Sequence, residues 1–157
     1  MRVYLVQHGE SKSEEEDPQR RLTGEGVRNA QKVAQFLRPL GLKLAAIWHS
    51  DKDRARQTAE ILAGAVSVTQ GMVQRNDLAP KDPVAPLKQT IEQSAGDLMI
   101  VGHLPFLGKL AALLMEGSEE TEIVAFRFGC VVCVERTEDA QWKLAWMIVP
   151  ALLGARA

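Results

Sequence analysis

Segments with the apolar pattern of a strand alternate with segments of helical periodicity along most of this chain. The first apolar run, residues 3–6, ends at His8-Gly9, and a later run, residues 98–101, ends at His103. This alternation predicts an α/β layered fold in which crossover helices join the strands. Ligands bind such folds beyond the carboxyl ends of the strands, where loops and helix N-termini converge. Two of the three histidines are therefore expected at the ligand-binding edge of the sheet.

Length and charge limit the classes of protein that this chain can represent. Its 157 residues fit one domain, 1–157, that can bury a single core. Nineteen basic and twenty acidic side chains nearly cancel, so neither nucleic acid nor an anionic membrane is an expected partner. No apolar stretch approaches the roughly 20 residues that cross a bilayer, and no secretory leader pattern is present. We expect a soluble cytoplasmic protein.

The first two thirds of the chain predict helices and strands in turn. Thr23 is expected to cap a helix that ends at Gly41, and Ser50, with Asp53 three residues later, has the capping-box pattern of a second helix. Between and after these helices we predict strands over residues 45–49, 72–78 and 98–103. We also predict two further helices, one that starts at Asp82-Pro83 and one that spans residues 104–115.

The last third predicts consecutive strands and therefore a sheet that is partly antiparallel. Residues 123–128, 129–136 and 142–149 have strand-like patterns. Cys130 and Cys133 lie in the second of these runs, where an offset of three places side chains on opposite faces. We interpret them as ordinary strand cysteines rather than a redox pair. The fold class predicted for the whole chain is a three-layer α/β/α sandwich around a mixed, mostly parallel sheet.

His8 and Arg54 are the residues with the clearest chemical potential. A neutral imidazole is a competent nucleophile toward phosphorus, although a strand-end histidine can equally be a structural residue. Arg54 falls in the first turn of the second helix, where free backbone amides and a guanidinium together can bind an anion. A solvated helix face is the competing interpretation of Arg54. The two elements together indicate a phosphate site.

The chain resembles the histidine phosphatase superfamily, which includes the cofactor-dependent phosphoglycerate mutases, and within it the short SixA-like phosphohistidine phosphatases. The resemblance covers nearly the whole chain, and its motifs occur in the order of the family. These motifs are Gln7-His8-Gly9-Glu10, Leu22-Thr23-x-x-Gly26, residues 50–58, and Val101-Gly102-His103-Leu104-Pro105.

The resemblance implies a role for each matching residue. His8 is the residue phosphorylated during turnover, Arg54 holds the phosphoryl oxygens, and His103 donates to the same group. Arg20 and Gly9 are further candidate phosphate ligands, and no metal or organic cofactor is implied. We predict that the second ring nitrogen of His8 donates to a backbone carbonyl near Gly9 or the turn at Leu22-Thr23, because the attacking nitrogen must be neutral.

Gln7 departs from the family pattern, which has arginine at this position. A glutamine amide can still donate to a phosphate oxygen, but it lacks the charge and the two-pronged geometry of a guanidinium. The loss of one charged donor would slow catalysis about 10- to 100-fold unless Arg20 or Arg21 replaces it. Because of Gln7, a non-catalytic module that binds phosphate or phosphohistidine remains an alternative.

The substrate prediction depends on the general acid. Asp77 and Glu10 are the candidate acids, but neither stands out in the sequence. A phosphohistidine needs less help, because its leaving imidazole has a pKa of about 6.5. We therefore predict a phosphohistidine phosphatase whose substrate is a phosphohistidine-containing carrier or phosphotransfer domain and whose product is inorganic phosphate. A low-specificity phosphomonoesterase is the alternative enzyme, and the acidic loop over residues 14–17 is either a docking edge or a solvated surface.

Overall fold

A six-stranded mixed sheet with helices on both faces forms the centre of the molecule in the computed structural model, which describes residues 1–154. The strands are β1 (Arg2–Gln7), β2 (Lys43–Leu44), β3 (Ala46–His49), β4 (Ser67–Val68), β5 (Met72–Gln74), β6 (Leu98–Gly102), β7 (Val131–Arg136) and β8 (Trp142–Ile148). The α-helices are α1 (Gly24–Leu37), α2 (Asp53–Ala63), α3 (Ala85–Glu92) and α4 (Phe106–Glu116). Short 3₁₀ helices span Arg38–Leu40 and Pro150–Leu153.

The sheet has the order β5-β3-β6-β1-β7-β8. Its first four strands run parallel, while β7 pairs antiparallel with both β1 and β8. The predicted mixed and mostly parallel α/β sandwich is therefore confirmed. Strands β2 and β4 form a separate parallel pair. Within residues 1–154, none of the helices combines the length and the apolar character that crossing a membrane requires.

Each face of the sheet packs against its own apolar core. Alternate side chains of β1 enter different cores, since Val3 and Leu5 lie in one cluster and Tyr4 lies in the other. The same alternation separates the cysteines: Cys130 belongs to the first cluster and Cys133 to the second, and both are free thiols. Cys133 lies in β7 as predicted, whereas Cys130 directly precedes this strand.

Strand register brings the ends of three parallel strands side by side. The Gln7 position of β1 is level with Gly102 of β6, and the amide of His8 donates to the Gly102 carbonyl at 3.0 Å. On the other side of β6, the amide of Ser50 donates to the Val101 carbonyl at 3.3 Å. His8, His103 and Ser50 therefore follow neighbouring strands at one edge of the sheet. Because β7 is antiparallel to β1, it begins at this same edge.

Two local predictions are wrong. Helix α2 begins at Asp53 with Lys52 at its N-cap, and no side chain caps it, so Ser50 does not have the capping role. Residues 123–128 form no strand, although Val124 and Phe126 are buried alternately. Their alternation arises because an irregular segment packs these two side chains onto the core without pairing its backbone with a strand.

Candidate active site

His8 follows β1 and is held by its own neighbour. Its Nδ1 atom donates to the Gly9 carbonyl at 2.7 Å, which confirms the prediction of a backbone carbonyl partner near Gly9. A carbonyl oxygen can only accept, so the ring proton resides on Nδ1 and the lone pair on Nε2. The side chain is buried, with 6% of its surface exposed. The fold therefore fixes which nitrogen of His8 is able to attack.

His103 follows β6, and the centroid of its ring lies 4.9 Å from that of His8. Its Nε2 atom is 2.6 Å from the Ser50 hydroxyl, which also accepts the Lys52 amide at 3.3 Å. A hydroxyl can both donate and accept, so this contact fits either tautomer of His103. If the hydroxyl donates to Nε2, the ring proton of a neutral His103 is on Nδ1, an atom that is buried and has no hydrogen-bond partner among residues 1–154.

Burial keeps both histidines neutral. Desolvation lowers the pKa of His8 to about 4, and the charges of Arg54 and Arg20 contribute in the same direction. Desolvation also lowers the pKa of His103 to about 3, with further contributions from His8, Arg54, Lys52 and Arg20. Near pH 7 each ring therefore has one proton and one lone pair. Of these cations, Arg54 and Arg20 lower the pKa of both rings.

Arg54 is placed by the first turn of α2, and its Nε atom is buried without a partner among residues 1–154. Burial, together with the charge of Arg20, lowers the pKa of Arg54 from its ordinary value. Thr58 connects this turn to the first strand, because its hydroxyl donates to the Arg54 carbonyl at 2.8 Å and accepts the Gly9 amide at 3.0 Å. The Gly9 amide, predicted as a phosphate ligand, is therefore engaged within the protein.

An open cavity of about 380 Å³ lies against Arg54 and Arg20. Glu14, Pro18, Gln19, Asp51, Lys52 and Asp53 complete its lining. Three of these eight residues are cationic and three are anionic, so the cavity is polar rather than apolar. Because the cavity is open and reaches Arg54 and Arg20, it gives a phosphoryl group carried on a larger molecule an approach to these two guanidinium groups.

The loop between β1 and α1 determines which arginine faces the site. Asp17 is buried within this loop and accepts the Arg21 guanidinium at 2.9 Å as well as the amides of Gln19 and Arg21. The Arg21 partner lowers the pKa of Asp17 to about 2. Arg20 takes no part in this pairing. Its backbone has a left-handed conformation at φ 50°, and its Nε donates to the Lys12 carbonyl at 3.3 Å. Of the two candidates to replace the missing arginine, Arg20 lies near His8 and Arg21 is paired with Asp17.

Gln7 and Glu10 flank His8 in the sequence but have different surroundings. The Oε1 atom of Gln7 is buried and has no hydrogen-bond partner among residues 1–154. Glu10, a candidate general acid, accepts the Thr23 hydroxyl at 2.9 Å. Thr23 caps α1 by accepting the Gly26 amide at 2.9 Å, as predicted. A Cβ atom on Gly26 would lie 2.2 Å from the Glu10 carbonyl. The absence of a side chain at Gly26 therefore lets α1 pack closely against the loop that follows β1.

Asp77, the other candidate acid, is paired with Arg75. The two groups form a double hydrogen bond at 2.9 and 2.7 Å, and the Arg75 guanidinium lies 4.5 Å over the Trp48 ring. The Arg75 partner lowers the pKa of Asp77 below its usual value. A carboxyl group in this state is ionised at neutral pH and has no proton to give to a leaving group.

Two residues of the site were missed by the sequence analysis. Ser50 was assigned to a helix cap, and Phe128 was assigned to a strand that does not form. The Phe128 ring lies 5.6 Å from the ring of His8. No local pattern identifies either contact, because each depends on which strands are neighbours in the sheet. Within the described part of the chain, no group of three or more His, Cys, Asp or Glu residues is arranged to hold a metal ion.

Comparison with known proteins places the chain in a family. Residues 3–79 match the model of the histidine phosphatase superfamily, branch 1. An uncharacterized protein of Picosynechococcus is 37% identical over 94% of this chain and 99% of its own length. The phosphohistidine phosphatase SixA of Escherichia coli K12 is 24% identical over 98% of this chain and 96% of its own length.

The similarity in structure extends over the same length. The protein histidine phosphatase SixA, solved in complex with tungstate, superposes with a TM-score of 0.83 at 24% identity. This match covers 98% of this chain and 100% of the SixA chain, so the two folds share every layer. The chain belongs to the histidine phosphatase superfamily and is SixA-like within it.

Proposed function

We propose that this protein is a phosphohistidine phosphatase that acts on a phosphohistidine of another protein through a covalent phospho-His8 intermediate. The observation that carries the proposal is the hydrogen bond from His8 Nδ1 to the Gly9 carbonyl, because it leaves the Nε2 lone pair of His8 available for attack on phosphorus. Membership of the histidine phosphatase superfamily supports phosphatase activity, and the likeness to SixA supports this class of substrate.

In the first step His8 Nε2 attacks phosphorus in line with the departing nitrogen. A bond forms between Nε2 and phosphorus, the bond from phosphorus to the substrate imidazole breaks, and its electron pair stays with that imidazole. A substrate ring protonated on its distal nitrogen departs as neutral imidazole. The His8 ring becomes a phosphorylated imidazolium, and its Nδ1–H donates more strongly to the Gly9 carbonyl as the positive charge develops.

In the second step water attacks the phosphorus of phospho-His8. The bond between Nε2 and phosphorus breaks, its electrons return to the His8 ring, and one proton of the water passes to solvent. Inorganic phosphate leaves, and His8 is again neutral because its pKa is lowered to about 4. Because His8 is buried, few water molecules can reach the phosphorus at one time.

The oxygens of the phosphoryl group need donors throughout both steps, since phosphoryl transfer depends mainly on positioning and charge stabilisation. Arg54 and Arg20 supply positive charge, and His103 supplies its Nδ1–H. The amide of Gln7 is a further donor if its nitrogen faces the group. Gly9 serves His8 instead, through its carbonyl.

The surroundings of the candidate acids favour a phosphoramidate over a phosphate ester. An alkoxide leaving group needs a proton, but Asp77 is paired with Arg75 and Glu10 accepts from Thr23. Imidazole leaves without such help near neutral pH. The expected partner is therefore a phosphohistidine-containing carrier or phosphotransfer domain, and the open cavity leaves room for it.

Incubation with a ³²P-labelled phosphohistidine carrier protein tests this function. The native protein is expected to release inorganic phosphate and to yield an acid-labile label on His8 after rapid quenching. His8→Asn is expected to abolish both signals. His49→Asn is the matched control, because His49 is also buried and also places Nδ1 on a backbone carbonyl, that of Ser50 at 2.8 Å.

Three outcomes contradict the proposal. Full turnover by His8→Asn excludes the covalent mechanism. Phosphate binding by the native protein, without labelled His8 and without turnover, identifies a non-catalytic binding module instead. Faster hydrolysis of an alkyl phosphate than of the phosphohistidine identifies a phosphomonoesterase, since only the alkyl ester requires an acid.

A further inference from the structure

Phe128 lies against His8 and is nevertheless half exposed. The two ring centroids are 5.6 Å apart with an interplanar angle of 40°, and 50% of Phe128 is accessible to solvent. Among the large apolar side chains of residues 1–154 that are exposed to this degree, Phe128 is the aromatic one. Packing alone does not require an exposed phenyl ring beside a buried, polar site.

The backbone around Phe128 holds the ring in place. The Gly129 amide lies 3.0 Å from the Gln7 carbonyl and 3.2 Å from the His8 carbonyl, so the loop before β7 is tied directly to the end of β1. Gly129 has a left-handed backbone at φ 76°. The position of Phe128 is therefore fixed relative to His8 rather than being that of a free loop side chain.

The order of strands places Phe128 and Arg54 on opposite sides of β1, the strand that His8 follows. Arg54 follows β3, which lies beyond β6 from β1, whereas Phe128 precedes β7 on the other side of β1. The cationic side suits phosphoryl oxygens. The aromatic side offers a flat apolar surface, and it is suited to a group that is planar and uncharged when it leaves.

We propose that the exposed face of Phe128 is the subsite for the leaving group and that it binds the imidazole ring of the phosphohistidine substrate. This inference rests on the proposed function and adds to it a determinant of specificity. Ring–ring contact favours a heteroaromatic leaving group over an aliphatic or ammonia leaving group. Its expected contribution to kcat/KM is about 3- to 10-fold, the range of aromatic pairs in proteins.

Two small substrates test the subsite. N-phosphohistidine has a ring on the departing nitrogen, while phosphoramidate releases ammonia and has none. Phe128→Leu is expected to lower kcat/KM about 3- to 10-fold for phosphohistidine and to leave the phosphoramidate value within about twofold. Phe128→Tyr is expected to retain the native preference. Leu144→Ala, which removes an exposed apolar side chain on β8, is the control and is expected to change neither value.

The design separates the subsite from the proposed function. If the native protein hydrolyses both substrates with labelled His8, the proposed function stands, and the ratio of the two kcat/KM values in Phe128→Leu then decides the subsite. An equal loss for both substrates means that Phe128 supports His8 rather than the leaving group, and no loss means that it has no role; either result overturns the subsite. If the native protein hydrolyses neither substrate, both proposals fail.

Discussion

The two site histidines differ at the level of single hydrogen bonds. His8 gives its Nδ1 proton to a carbonyl, and the partner of His103 is instead a hydroxyl on Nε2. If the Ser50 hydroxyl donates to His103, the two neighbouring neutral rings present opposite functions: a lone pair on His8 and an N–H on His103. The hydrogen-bond partner of one ring nitrogen determines whether the other nitrogen of that ring has a lone pair that can attack or an N–H that can donate.

Ser50→Ala tests this assignment. Without the hydroxyl proton, His103 is free to place its own proton on Nε2, and the Nδ1–H that we propose as a donor to the phosphoryl group is lost. We expect kcat to fall about 10- to 100-fold, the effect of one hydrogen bond to a charged group. The decisive measurement is the ¹⁵N NMR spectrum of the histidine side chains, in which His103 should change tautomer. The control is Ser67→Ala, which changes an exposed serine on β4. An unchanged His103 tautomer in Ser50→Ala would show that Ser50 has only a structural role.

Arg20 is expected to supply the charge that Gln7 lacks. Arg20→Gln should lower kcat/KM about 10- to 100-fold, because one charged donor to the phosphoryl group is removed. Gln7→Arg, added to that variant, should recover part of the loss. Arg56→Gln is the matched control, since Arg56 lies on α2 near Arg54 but is paired with Asp53 and Glu60. Normal activity of Arg20→Gln would contradict this role for Arg20.

At the scale of elements, one glycine determines how α1 meets the end of β1. A Cβ atom on Gly26 would lie 2.2 Å from the Glu10 carbonyl, a contact that requires backbone movement. We expect Gly26→Ala to destabilise the fold by about 1 to 3 kcal/mol and to reduce turnover, because the displaced loop carries Arg20. Gly24→Ala is the control, since its Cβ would meet only the flexible Arg28 side chain. Urea unfolding measures both, and equal stability of the two variants would contradict the docking role of Gly26.

The same scale shows how far the sequence could predict the structure. The apolar runs and their terminal residues correctly predicted β1, β6 and the edge at which His8 and His103 meet. The Ser50 contact could not be predicted, because His103 becomes its neighbour only when β6 lies beside β3. Phe128 was missed for a related reason: burial of Val124 and Phe126 imitates strand alternation in a segment without strand pairing. Local patterns predict elements, but contacts between elements require the order of the strands.

At the scale of the whole molecule, the site has an effect on stability. Burial of two neutral histidines beside Arg54 and Arg20 is favourable only while the rings stay unprotonated. In the unfolded chain each ring has a pKa of about 6.5. In the folded protein the pKa is about 4 for His8 and about 3 for His103. Between these values the unfolded state binds more protons than the folded state, so the free energy of unfolding falls as the pH falls.

This linkage gives a measurable pH dependence. We expect the free energy of unfolding, measured with urea, to decrease between pH 7 and pH 5 by about 1 to 2 kcal/mol for each of the two histidines. His8→Gln and His103→Gln should each remove the contribution of one histidine to this decrease. In the double variant the free energy of unfolding should be nearly independent of pH between pH 7 and pH 5. The Asp17 carboxylate does not obscure the measurement, because its pKa is lowered from 3.8 to about 2 and its contribution to stability is lost only below about pH 5. A slope that is unchanged in both single variants would show that the two rings do not stay neutral in the folded protein.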